Sequence, residues 1–367
     1  MDKIKRVILC SIPMSICNLR CKYCYLSQRD ECYQGQQIEY KYSPEHVAKA
    51  FSVERMGGVC YVNLCAEGET LLTKDIDKYI YAIANEGHYV EVVTNLTVTK
   101  VLEKILSFPD EILKHITFKC SFHYLQLKER NLLGVFSENV KSIWAHNCSA
   151  NIEITPDDEL IPYIEEVKTF SLANFGALPH LSIARDDRKG HDYLTKYSIA
   201  EYDKIWSQFD SSFWRFKKTI FNKKRTEFCY AGRWSLYVNL ATGETRQCYY
   251  SHYSQNVFEN LDKPIDFVAI QSCPDTHCYN GHALLTLGCI PRFTDVGYGD
   301  IRNRNKLDGG QWIQPEMLSF LNTKLEESNE LLTDEEKISQ NKEMKKNCAK
   351  YFLKKVKSRA KKMIKKK

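Results

Sequence analysis

Short apolar runs alternate with amphipathic stretches along the first half of the chain. RVILCSI opens the series as a buried strand over about residues 4–11, and VCYVNLC follows at 59–65. HYVEVVTN at 88–95, HITFKCSFHY at 115–124, NIEIT at 151–155 and ALPHLSIARD at 177–186 complete a set of six predicted strands. Between them the spacing predicts helices over about 43–56, 73–85, 98–106, 135–146 and 156–173. The first opens at Ser43-Pro44, a cap followed by a first-turn proline, and closes before Gly57-Gly58. Such an alternation builds a parallel sheet with right-handed crossovers, an α/β fold.

The second half reads differently. Residues 196–228 are aromatic and basic, with a helix over about 199–209, and form a connector. A hairpin follows, with a strand through WSLYVNL, a turn at Ala241-Thr242-Gly243 and a return through ETRQC. From about residue 316 the chain is helical in propensity. In its last residues Phe352, Leu353, Val356, Ala360, Met363 and Ile364 recur at helical spacing among lysines.

Composition changes this picture in two places. The formal charge of +6 hides a divided chain: residues 340–367 hold 13 Lys/Arg against one acid, which leaves −6 on the first 339 residues. That basic amphipathic tail has the character of a helix for anionic lipid or for RNA phosphates; a solvated tail is the plain alternative. Fifteen cysteines, an odd count with cluster-like spacing, point to metal ligation rather than a disulfide framework. No run approaches the roughly 18 residues of a membrane span, and the basic start lacks the cleavage site of a signal peptide, so a cytoplasmic protein is expected, peripheral at the inner membrane face if the tail binds lipid.

The cysteines are most informative in CNLRCKYC. Cys17, Cys21 and Cys24 stand in C-x3-C-x2-C spacing directly after the first strand, with aromatic Tyr23 before the third. A [4Fe–4S] cube takes four thiolates, so three leave one iron open to chemistry. A zinc knuckle or three ordinary cysteines are the bland readings. On these residues the chain resembles the radical S-adenosylmethionine (radical SAM) enzymes, and the six alternations match that family's partial (β/α)6 TIM-like barrel. The resemblance implies a [4Fe–4S] cluster on Cys17, Cys21 and Cys24, S-adenosylmethionine chelated to its open iron, and reductive cleavage to a 5′-deoxyadenosyl radical. It also implies cofactor-binding roles. AEGETLL at 66–72 stands where the family has a GGE-type motif: Gly68 and Glu69 match, Glu67 replaces the first Gly, and Thr70 stands where Pro is usual. Thr94 and Asn95 match two positions of a TNG-like turn, Ser121 ends the fourth strand, and Tyr23 belongs to the cluster loop. His123 is a candidate substrate contact and Arg185 a candidate partner for the methionyl carboxylate.

A second resemblance lies in the hairpin. Cys229 and Cys248 frame it in C-x13-G-x4-C spacing, similar to the opening of the SPASM and twitch extensions of radical SAM proteins. It implies a second [4Fe–4S] cluster on Cys229, Cys248, Cys273 and Cys278, with Cys289 in reserve; a structural zinc would use the same thiolates. Cys10, Cys32, Cys60, Cys65, Cys120 and Cys148 read as core residues.

The expected organisation is a barrel over 1–195, a connector over 196–228, a small Cys-rich β-hairpin domain over 229–315, and a helical basic tail over 316–367. The expected activity is radical hydrogen abstraction, an oxidation or epimerisation. A small-molecule or glycan-type substrate is favoured because the first strand starts at about residue 4, with no peptide-recognition domain ahead of it. A reductant such as flavodoxin or ferredoxin is the implied partner. A peptide maturase, an RNA-modifying radical enzyme and a non-catalytic iron–sulfur or zinc module are the alternatives.

Overall fold

The computed structural model describes residues 2–28, 35, 37–188, 192–223, 227–249, 251–270, 273 and 296–364. Six parallel strands appear in the predicted order: β1 (Arg6–Ile12), β2 (Cys60–Ala66), β3 (Tyr89–Thr94), β4 (Ile116–Ser121), β5 (Ser149–Ile154) and β6 (His180–Leu181). A small antiparallel pair, β7 (Arg185–Asp186) and β8 (Asp192–Tyr193), stands apart. The hairpin strands β9 (Ser235–Asn239) and β10 (Glu244–Arg246), with β11 (Ser254–Asn256), then extend the main sheet. Its order is β11-β10-β9-β1-β2-β3-β4-β5-β6, with β9 running parallel to β1. The architecture is that of a partial TIM-like barrel with a helical C-terminal region.

Side-chain alternation divides the strands into two faces. Ile8, Cys10, Val62, Leu64, Val90, Val92, Ile116, Phe118, Ala150 and Ile152 belong to one large apolar cluster that also holds Tyr79, Ile80 and Ile83 of the helix Ile76–Asn85. The intervening positions are different: Asn63, Glu91, Thr117, Asn151 and Glu153 are polar and buried. Burying carboxylates costs several kcal/mol each unless they are paired, so this inner face demands a cation. Arg302, from the helix Tyr298–Arg302, supplies it. Its side chain is 1% exposed and pairs with Glu91 and, at 3.0 Å, with Glu153. It also donates to Asn151 Oδ1 at 2.8 Å and to the Tyr298 hydroxyl. Around it Val7, Leu9, Tyr61 and Tyr89 pack with Phe213, Met317 and Phe320 in a second apolar cluster. A stretch far along the chain thus closes one end of the inner face.

Several boundaries differ from the periodicity. The helix beginning at Ser43 is two pieces, Pro44–Ala50 and Val53–Met56, because Ser52 caps afresh by accepting from Arg55 N; Gly57 ends it at φ 74°. The fourth strand stops at Ser121, and residues 124–129 form a short helix. The sixth strand is only two residues long, since Ser182–Arg185 turns aside to line a cavity. Within the expected connector lies a second helix, Ser212–Ile220, capped by Ser211 and burying Phe213, Trp214, Phe216 and Ile220. The tail is helical as its spacing predicts, over Asp334–Ile364. Among the described residues no helix is long and apolar enough to cross a membrane.

Candidate active site

Parallel strands gather their carboxyl ends, and the loops there converge on one place. The loop after β1 carries Cys17, Cys21 and Cys24, and all three line a single cavity of about 370 Å³. The loop folds on itself through Cys24 N to Cys21 O (3.1 Å) and Ser27 Oγ to Cys21 O (2.8 Å). It is also stitched to the loop after β2, where Gly68 N donates to Met14 O at 2.7 Å and Glu69 N to Ile16 O at 2.8 Å. At Gly68 the two backbones come so close that a Cβ would stand 2.1 Å from Ile16 O. The glycine's freedom is therefore used against the cysteine loop itself.

Glu69 is 2% exposed, and its carboxylate is held from three sides. Oε1 accepts from Thr94 Oγ1 at 2.5 Å and Leu71 N at 3.0 Å; Oε2 accepts from Asn95 N at 2.7 Å. A carboxylate has about four lone-pair sites, so one stays open towards the cavity that Glu69 lines. Burial pushes its pKa up, and the hydrogen bonds from Thr94, Asn95 and Leu71 offset this only in part. A cationic guest at the open position would favour the charged form.

The structure brings every residue of the first candidate set to this cavity: Cys17, Tyr23, Gly68, Glu69, Thr94, Asn95 and Ser121 line it together with Cys21 and Cys24. Asn95 Nδ2 donates to Asn18 Oδ1 at 2.9 Å and lies 3.8 Å from Cys17 Sγ, and Leu19 N lies 3.4 Å from the same sulfur. Tyr23 shares a 2.6 Å hydrogen bond with His123 Nδ1, and burial lowers His123 to about 4, so this ring is neutral. Burial also raises the Cys17 thiol, and raises Cys21 to about 12. Such thiols become thiolates by taking a metal group, which is the chemistry of a cluster donor set. Three soft donors on one cavity wall, with N–H groups turned to a sulfur, fit an iron–sulfur cube.

Sequence reasoning missed Lys119, Thr155, Ser182 and Asp187, which line the same cavity. Lys119 and Ser121 are two apart on β4, so the alternation that points Ser121 inward points Lys119 inward too. Arg185 also lines the cavity, and its guanidinium is engaged with Asp187 at 2.5 and 3.3 Å.

Of the second set, Cys229 and Cys248 are buried in the same apolar cluster, and Cys273 is half-buried. Near Cys229 the chain packs on the residue before Cys248: a Cβ on Gly232 would lie 2.5 Å from the side-chain Cγ of Gln247 and 2.1 Å from Val268 O. Cys278, Cys289 and Cys32 lie outside the described residues. Cys10, Cys60, Cys120 and Cys148 sit in the main apolar core, whereas Cys65 reaches the cavity wall. Among the described residues no three His, Cys, Asp or Glu side chains close on the geometry of a single ion.

Residues 11–118 match the family model described as the radical SAM superfamily. No curated protein matches the chain. Among solved structures, histidine-tagged anSMEcpe with bound AdoMet is similar at a TM-score of 0.51 and 15% identity, over 71% of this chain and 77% of its own. Streptococcus suis SuiB gives 0.49 and 15% over 72% and 66%, and BtrN in complex with AdoMet and 2-DOIA gives 0.34 and 15% over 71% and 76%. The chain spans just under two thirds of the length of SuiB. The likeness to anSMEcpe is one of fold.

Proposed function

We propose, from the radical SAM domain that this chain carries, that it is an enzyme whose Cys17, Cys21 and Cys24 hold a [4Fe–4S] cluster and whose Glu69 receives the amino group of S-adenosylmethionine. The observation that carries the reading is the convergence of three thiols and a buried, triply hydrogen-bonded carboxylate on one cavity. When bound, the cluster and its nucleoside supply one-electron cleavage to a 5′-deoxyadenosyl radical, which takes a hydrogen atom from the substrate. The chain's own work is to hold and to exclude. Glu69 orients the ammonium group, while Gly68 allows its loop to lie against the cysteine loop. Asn95 directs an N–H at the Cys17 sulfur, Ser121 offers a hydroxyl to the nucleoside or its carboxylate, and Tyr23 and His123 brace the rim.

The substrate we favour is a small polar molecule, of carbohydrate type, oxidised or epimerised. Support comes from the remaining wall: Lys119, Ser121, Thr155, Ser182, Arg185 and Asp187 are hydrogen-bonding groups, suited to hydroxyls and charges. Cys229, Cys248, Cys273 and Cys278 are proposed as ligands of a second cluster, in a domain over residues 229–315. A flavodoxin or ferredoxin would supply the electron. The helix Asp334–Ile364 exposes Phe352, Leu353 and Val356 among lysines, and we assign it to peripheral contact with anionic lipid.

The test is spectroscopic. Anaerobically reconstituted protein, reduced with dithionite, should give a [4Fe–4S]+ resonance that S-adenosylmethionine perturbs. A reduced cluster indifferent to the nucleoside would contradict the reading.

A further inference from the structure

Three side-chain amides tie the cysteine loop to three different strand ends. Asn95, after β3, donates to Asn18 Oδ1 at 2.9 Å. Gln126, in the helix after β4, accepts from Arg20 N at 2.9 Å. The third tie starts from the cysteine loop itself. Gln28 follows the third cysteine, and its backbone N–H reaches Cys24 O at 3.2 Å. Its side chain spans to the far side of the cavity. Nε2 donates to Tyr23 O and to Arg185 O, both at 3.0 Å, and Oε1 accepts from Asp187 N at 2.8 Å. Both amide hydrogens and the oxygen are thus engaged.

The far side needs such a tie. Because β6 ends at Leu181, the sheet ladder does not carry Ser182–Asp187, the stretch whose Ser182, Arg185 and Asp187 line the cavity. Its beginning is fixed on β5, through Ser182 N to Ile154 O at 2.9 Å and the Thr155–Ser182 hydroxyl pair at 3.2 Å. Its end is gripped by Gln28, on the peptide groups either side of Asp186. Those groups belong to the two members of the Arg185–Asp187 ion pair, so one neutral amide places both charges. Gln28 is not among the residues that line the cavity; it acts through those that do.

We propose that Gln28 is a positioning residue that holds the substrate-side wall, Ser182–Asp187, in register with the cysteine loop. It keeps the carbon to be attacked, and nothing else, within reach of the radical. The catalytic meaning of this rests on the radical reading above, whereas the clamp itself does not. Small displacements of such a wall matter, because reaction at a radical depends on near-contact geometry.

The test uses the anaerobically reconstituted holoenzyme and Gln28→Leu. Iron content and affinity for S-adenosylmethionine should be unchanged, since Asn95, Gln126 and Glu69 are untouched. Amide hydrogen exchange over residues 182–188 should quicken by about tenfold, as a local opening that has lost its hydrogen bonds. Gln126→Leu, which cuts a different tie of the same loop, should leave that stretch as protected as in the wild type. Gln28→Glu keeps the acceptor and loses the donors, so the Asp187 amide should stay protected in it.

The functional readout is the fate of the radical without substrate. With dithionite as electron donor and perdeuterated glycerol as quencher, the 5′-deoxyadenosyl radical takes a deuterium atom from a glycerol C–D bond. A carbon radical remains on glycerol, and the deuterium appears at C5′ of 5′-deoxyadenosine, where mass spectrometry counts it. The deuterated fraction should rise severalfold in Gln28→Leu and not in Gln126→Leu. Loss of iron or of nucleoside affinity in Gln28→Leu would overturn the proposal, because the residue would then serve the cluster. Unchanged exchange over 182–188, an unchanged deuterated fraction, or equal loosening in Gln126→Leu would also overturn it. If the wild type releases no 5′-deoxyadenosine, the radical reading falls, and the exchange comparison still decides the clamp.

Discussion

Thr94 donates its hydroxyl hydrogen to Glu69 Oε1 at 2.5 Å, which joins the end of β3 to the loop after β2 across the floor of the cavity. The same threonine oxygen accepts from Leu96 N at 2.8 Å, so the contact fixes the turn as well as the carboxylate. Two signals that stand 25 residues apart are thus one structural unit.

That unit gives the first prediction. Glu69→Gln keeps the shape and removes the charge, and should weaken S-adenosylmethionine binding by about tenfold or more, since hydrogen bonds to charged groups contribute roughly 1.5–3 kcal/mol. Thr94→Val should weaken it less, by loosening the carboxylate. Equilibrium binding of the nucleoside to the reconstituted protein measures both. Unchanged affinity in Glu69→Gln would count against the assigned role.

Gly68→Ala forces a methyl group into the backbone of Ile16, 2.1 Å from its oxygen. The loops must separate. The expected result is a reconstituted protein with well under half the wild-type iron, while Gly134→Ala, where nothing stands within 4 Å, keeps its iron. Colorimetric iron assay after desalting decides it.

Arg302→Met leaves Glu91 and Glu153 without their shared guanidinium in a closed interior. Breaking a buried pair by removing one partner costs about 3–5 kcal/mol. Urea unfolding should register a loss of that order, and Glu91→Gln added to Arg302→Met should recover part of it. A loss below about 1 kcal/mol would mean that the inner face is wetter than its burial implies.

His180 is fully buried between Ser211 Oγ at 3.1 Å and Asn303 O at 3.3 Å, and burial lowers it to about 3. A histidine with a depressed folded pKa binds fewer protons folded than unfolded. Its contribution is present above the unfolded value of about 6.5 and is lost as pH falls towards 3, by up to about 1.4 kcal/mol per pH unit. His180→Asn should flatten the acid side of the stability profile, between about pH 6 and 4, by about one proton; denaturant titrations across that range test it.

The strand series and the cysteine loop were legible because both are local. A parallel strand announces itself by its apolar positions, and a cluster loop by three cysteines within eight residues. The inner face was half legible: the alternation in NIEIT and TFKCS marks which residues share a face, but not that Arg302, from a helix far along the chain, would neutralise them. Pairing of β9 with β1 was hidden for the same reason, since no local pattern states a strand's neighbour. Ser212–Ile220 has apolar positions at helical spacing, Phe213, Phe216 and Ile220, but its aromatic and basic composition masks them in the sequence. The loss of all but two residues of β6 follows from the cavity that its continuation lines, which only the assembled fold reveals.

The most direct test of the central claim is 5′-deoxyadenosine release from S-adenosylmethionine under dithionite, with iron counted on the same anaerobic samples. Wild type is compared with a Cys17/Cys21/Cys24→Ala triple variant. With two [4Fe–4S] clusters, about eight irons per chain should fall to about four in the variant, and release should vanish. Release that persists without the three cysteines, or a fully loaded wild type that releases none, would contradict the account.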